Sequence, residues 1–99
     1  MDRLGELEAL LVDLKAVTVA TARGAFTGLF QRGCSLLEFG DREAVRIFCA
    51  SQPTVNRWRH GKIVPGVPAL VLRALQEEVV VRIRYIRKAT GLRGEKNDG

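Results

Sequence analysis

Between Ala44 and Gln76 the chain has no acidic residue at all. Histidine is nearly missing too, with His60 alone, and cysteine is limited to Cys34 and Cys49. One histidine and two thiols fifteen residues apart form no zinc framework, and they argue weakly for a disulfide. Reduced, mostly buried cysteines are the expectation. No apolar run approaches the roughly 18 residues of a membrane-spanning helix. The opening MDRLGELEALLVDLK is acidic and amphipathic and lacks the basic start and short apolar block of a signal peptide. A soluble cytoplasmic protein without a membrane partner is therefore expected. The chain also has no paired acid and base, nucleophile motif or phosphate-binding loop, so neither an enzyme nor a cofactor or metal site is expected.

What is present is unevenly charged. Residues 1–43 hold five basic and seven acidic side chains, whereas residues 44–99 hold eleven basic and four acidic. The acid-free stretch contains Arg46, Arg57, Arg59, Lys62 and Arg73. A strongly basic half in a protein of pI about 9.9 points to a polyanionic partner. At 99 residues and 46% hydrophobic composition, one domain with a modest core is the natural size class.

Helical periodicity dominates. Leu4, Leu7, Leu11 and Leu14 recur at three and four over residues 2–22, with Asp2 placed to cap. This stripe serves either the chain's own core or a second copy. Residues 25–39 read as one or two short helices carrying Phe26, Leu29, Phe30, Leu36, Leu37 and Phe39 inward, ended by Gly40. Asp41 is placed to cap a helix over DREAVRIF. His60 to Gly66 reads as a loop, with Gly61 as the C-terminal stop. Residues 67–90 read as a long helix through Leu72, Leu75, Val79, Ile83 and Ile86. Its segment 79–86 also alternates like a strand. The polar, glycine-rich tail 91–99 reads as disordered.

The segment SQPTVNRW holds the only tryptophan. On a helix at about 100° per residue, Val55 and Trp58 share one side while Pro53, Asn56 and Arg57 share the other, with Gln52 at the N-terminal edge. Ser51 sits at the N-cap, and a proline is tolerated in the first turn because its missing N–H has no intrahelical partner there. A helix this short needs a neighbour, and 41–48 supplies one through Val45 and Phe48. Two short helices joined by a three-residue break form a helix-turn-helix. Glutamine and asparagine can make paired contacts to adenine, and arginine to guanine.

Here the sequence resembles a known family. GDREAVRIFCASQPTVNRWRHGKIVP is similar to the helix-turn-helix of phage Cro and lambda-repressor-like regulators, and the following R-H-G-K and proline fit that family's loop into its next helix. The resemblance implies that Gln52, Pro53, Asn56 and Arg57 face DNA bases and nearby phosphates. It implies that Arg59, His60 and Lys62 approach the backbone; Thr54 completes the candidate set. Cys49 stands where the family has a turn glycine, so it must accept left-handed geometry or the turn must differ. Val45 stands in place of the family's small alanine where the helices cross.

The fold expected is all-α. It is a compact domain of five or six helices over residues 1–90, lambda-repressor-like, with the helix-turn-helix at about 41–60 and an extra N-terminal helix. The function expected is sequence-specific binding of double-stranded DNA by a homodimeric transcriptional regulator. By resemblance it is a repressor of phage or mobile-element type. Two alternatives carry the same residues. One is an antitoxin or adaptor whose N-terminal or C-terminal helix binds a protein partner. The other is an accessory DNA-binding factor of recombination or transposition.

Overall fold

A computed structural model describes residues 2–62 and 67–90. These form five helices and no strand: α1 (Arg3–Lys15), α2 (Ala22–Leu37), α3 (Asp41–Phe48), α4 (Gln52–Arg59) and α5 (Val67–Thr90). Helices α1, α2 and α5 pack on one another, and the α3–α4 pair docks through α4 onto α2. The tail 91–99, expected to be disordered, and residues 63–66 of the expected loop lie outside the described residues.

Helix α1 starts as its sequence asks. Asp2 Oδ1 accepts the Gly5 N–H at 2.7 Å, and Leu7, Leu10 and Leu14 are buried. It stops well short of residue 22, the expected end. The chain leaves the helix after Lys15 because Thr18 and Thr21 take each other's backbone N–H groups, at 2.9 and 3.2 Å. Short hydroxyl side chains compete in this way with helical hydrogen bonds.

Helix α2 is one continuous helix, not two short ones, and it begins three residues before the expected start. Two of its glycines, Gly24 and Gly28, sit on its exposed side. Gly33 does not: a Cβ there would lie 2.7 Å from Leu75 Cδ2, so the missing side chain is what lets α5 close on α2. The stop comes before Gly40. Glu38 takes the left-handed conformation (φ 60°), and Phe39 N–H donates to Cys34 O at 2.8 Å.

Gly40 instead occupies the N-cap position of α3, and Asp41 is the first helical residue rather than the cap. The Gly40 N–H is taken by Glu43 Oε1 at 3.0 Å. Ala44 is the fully buried residue of α3, while Val45 and Phe48 are partly buried against the core. Residues 79–86 are helical. Strand alternation would put Val79, Val81 and Ile83 on one face, but Val79 and Ile83 are buried and Val81 is 58% exposed.

Every residue buried in the described core is apolar or glycine, with no buried polar or charged side chain. Phe26 and Phe30 stack at 5.2 Å, and Trp58 meets the Phe30 ring at 5.9 Å and a right angle. Edge-to-face contacts of this kind add about 0.5–1.5 kcal/mol beyond area burial. Surface ion pairs Arg3–Glu38, Asp13–Arg32 and Glu8–Arg87 link α1 to its neighbours and contribute little each. Among the described residues no helix is long and apolar enough to cross a membrane.

Candidate nucleic-acid interface

The connection between α3 and α4 is Cys49, Ala50 and Ser51. Cys49 adopts φ 52° and ψ 45°, the left-handed geometry, at the C-cap of α3. For a residue with a Cβ this stores about 1–3 kcal/mol, which the surrounding packing must offset. Cys49 is exposed, contrary to the expectation of mostly buried cysteines; Cys34 is buried and its thiol pushed up by burial, with the nearby Arg59 guanidinium opposing. Ser51 caps α4: its Oγ accepts the Thr54 N–H at 3.3 Å and lies 2.9 Å from Thr54 Oγ1.

Helix α4 is anchored from one side. Val55 is fully buried and Trp58 is 8% exposed. Gln52, Pro53, Asn56 and Arg57 are all exposed, so these four candidates share one open surface. Two carboxamides and a guanidinium over two helical turns offer paired donors and acceptors, which is the chemistry of recognition. Thr54 is different. It is half-buried, and its hydroxyl is engaged by the cap.

Arg59 is also different, and its surroundings are the part of the site that sequence reasoning missed. Its Nε donates to Asp41 Oδ1 at 3.0 Å and its Nη2 to Phe39 O at 3.3 Å, leaving the side chain 26% exposed. The Arg59 carbonyl in turn accepts from Gln31 Nε2 on α2. The last turn of α4 is thus tied to the start of α3 and to α2. The one available signal was Thr27 and Gln31, two polar residues four apart on α2. Thr27 marks the same contact, since a Cβ on Gly61 would lie 2.9 Å from its Oγ1.

His60 and Lys62 follow the helix end and are exposed. His60 Nδ1 lies 2.8 Å from Asn56 O; a carbonyl only accepts, so this nitrogen carries the proton. Gly61 has φ 80°, and Lys62 N–H donates to Arg57 O at 2.9 Å, so Gly61 is the expected helix stop. On α3, Arg42 and Arg46 add two exposed cations one turn apart. An open apolar groove of about 550 Å³ lies between the α3–α4 turn and the start of α5. Ser51, Thr54 and Trp58 line it on one side and Val67, Leu70, Val71 and Ala74 on the other. The chain matches no family model, no curated protein and no solved structure.

Proposed function

We propose that the chain is a transcriptional regulator of the Cro and lambda-repressor-like kind, in which α3 and α4 form a helix-turn-helix and α4 enters the major groove of double-stranded DNA. The observation that carries this reading is the exposed row Gln52, Pro53, Asn56 and Arg57 on a helix fixed from behind by Val55 and Trp58. Gln52 and Asn56 pair with adenine edges and Arg57 with guanine. Lys62 and His60, with Arg42 and Arg46, supply phosphate contacts that position the helix without reading sequence.

Arg59 leaves that list. Its guanidinium is held by Asp41 and Phe39, so its contribution to binding is to fix the end of α4. One α4 reads too few base pairs for genomic discrimination, so the regulator acts as a homodimer on an inverted repeat. Occluding a promoter makes it a repressor.

The test is selection of bound duplexes from a random pool at near-physiological salt, beside the Asn56→Ala/Arg57→Ala double mutant. An inverted repeat recovered by the wild type and lost by the mutant supports the reading. Failure to enrich any sequence would sink it.

A further inference from the structure

The large apolar side chains left exposed among the described residues are Val12, Val19, Leu70, Val81 and Tyr85. They lie on α1, on the turn after it and on α5, and none lies on α2, α3 or α4. None of this exposed apolar surface belongs to α4, although Leu70 lines the groove beside it.

On α5 the inward stripe is Leu72, Leu75, Val79 and Ile83. At about 100° per residue, the opposite stripe runs through Leu70, Ala74, Glu77, Val81 and Lys88, with Arg84 on one edge and Glu78 and Tyr85 on the other. Leu70, Val81 and Tyr85 are 70%, 58% and 68% exposed. The charges on this stripe are ordered: the acids Glu77 and Glu78 lie before Val81 and the bases Arg84 and Lys88 after it.

We propose that a second copy of the chain docks on this stripe, with the two α5 helices antiparallel about a two-fold axis at Val81. In such a self-complementary contact each pairing occurs twice, once on either side of the axis. Glu77 then lies opposite Tyr85 of the copy, between the copy's Arg84 and Lys88. A parallel pair would set Glu77 on Glu77 and Arg84 on Arg84, and like charges across an interface cost several kcal/mol. The order of charge therefore selects both the orientation and the centre.

The spacing agrees with the proposed function, and this part of the inference rests on that reading. The α4 flank faces residues 67–74 of α5 across the groove at the α3–α4 turn. That segment is centred about ten residues before Val81. At 1.5 Å per residue, two such arms separate the α4 helices by about 32 Å along the α5 axis. Successive half-sites on one face of DNA are roughly 34–36 Å apart. The contact from Ala74 to Lys88 runs along about 21 Å of helix. That is short for a permanent dimer, so the pair exchanges and its occupancy rises on the operator.

Sedimentation of the full chain without DNA, over a concentration series at low salt, tests this directly. Val81→Glu, Tyr85→Glu and Glu77→Lys alter exposed positions, and thermal melts check that each variant remains folded. Each is expected to weaken self-association about tenfold. Combining Glu77→Lys with Arg84→Glu and Lys88→Glu is expected to restore it. A chain that stays monomeric at millimolar concentration would overturn the interface, as would a dimer indifferent to Val81→Glu and to both charge reversals. A dimer that behaves as expected but enriches no duplex would remove the DNA reading and leave the interface standing.

Discussion

Arg59 and Asp41 are 18 residues apart in sequence and 3.0 Å apart in the fold, at the end of α4 and the beginning of α3. The pair closes the two short helices into a ring whose other joint is the turn at Cys49. Its side chains are 26% and 42% exposed, so its direct contribution to stability is modest, about 1 kcal/mol. Its effect on α4 is larger in consequence, because Arg59 also holds Phe39 O. On the proposed DNA reading, Arg59→Ala is expected to weaken operator binding about tenfold while the salt slope is unchanged. A slope reduced by about one would show that Arg59 neutralises a phosphate instead.

Arg57→Ala is expected to cost about 1–3 kcal/mol of specific affinity and relax preference at one base pair. Lys62→Ala is expected to weaken all sequences alike and to flatten the salt dependence by about one unit. Titrations against the selected operator and a scrambled duplex, at several salt concentrations, separate the two. A change of sequence preference in Lys62→Ala would reverse its assignment.

Trp58 meets Phe26, Phe30 and Phe48 edge-on. Removing it empties the joint between α4 and α2. Trp58→Ala is expected to lose about 3–5 kcal/mol in urea unfolding, a large share of a small domain's stability. A normal unfolding midpoint would show that the ring does not hold the helix.

Gly33→Ala sets two effects against each other. Alanine gains about 1 kcal/mol of helix propensity over glycine. The new methyl would lie 2.7 Å from Leu75, which is itself fully buried and has little room to yield. Overpacking of this kind costs about 1–3 kcal/mol, so a net loss is expected. Leu75→Val in the same chain is expected to recover part of it; stabilisation by Gly33→Ala alone would mean that α5 can move away freely.

Cys34 and Cys49 are expected to differ in chemistry and in pH response. A disulfide-exchange reagent should label Cys49 quickly in the native protein and Cys34 only as the protein opens. Burial raises the Cys34 thiol above its ordinary value of 9.0. The unfolded chain therefore loses this proton first as pH rises, and the stability contributed by the neutral thiol is fully present below pH 9.0 and lost above it. Cys34→Ala should flatten that alkaline fall in the melting temperature, after allowance for its own packing loss. An unchanged alkaline profile would remove Cys34 as its source.

The limits of α4 were legible because they rest on local chemistry, the Ser51 cap and the Gly61 stop, and α5 showed in its three-and-four spacing, although its segment 79–86 also alternates like a strand. For Cys49 the resemblance left two outcomes open, left-handed geometry or a different turn, and its φ of 52° is the first. The end of α1 was hidden because Thr18 and Thr21 defeat the helix through side-chain hydrogen bonds that periodicity ignores. The helix-ending role of Glu38 was hidden behind the more obvious Gly40. Within the candidate site the outward row could be read from angle alone. The inward turn of Arg59 could not, since Asp41 and Gln31 reach it from 18 and 28 residues away.

Helix α4 is eight residues long, and a helix of two turns has no standing of its own in water. It exists for as long as Val55 stays buried and Trp58 stays docked on Phe26 and Phe30 of α2. Any ligand of α4 therefore binds only the fraction of molecules in which this docking is closed, and its apparent dissociation constant is the intrinsic one divided by that fraction. A substitution at Phe30, remote from the outward row, would then register as lost affinity, and a bound ligand would slow amide exchange along α2 as well as α4. The exposed row of α4 thereby reports on the packing between α4 and α2.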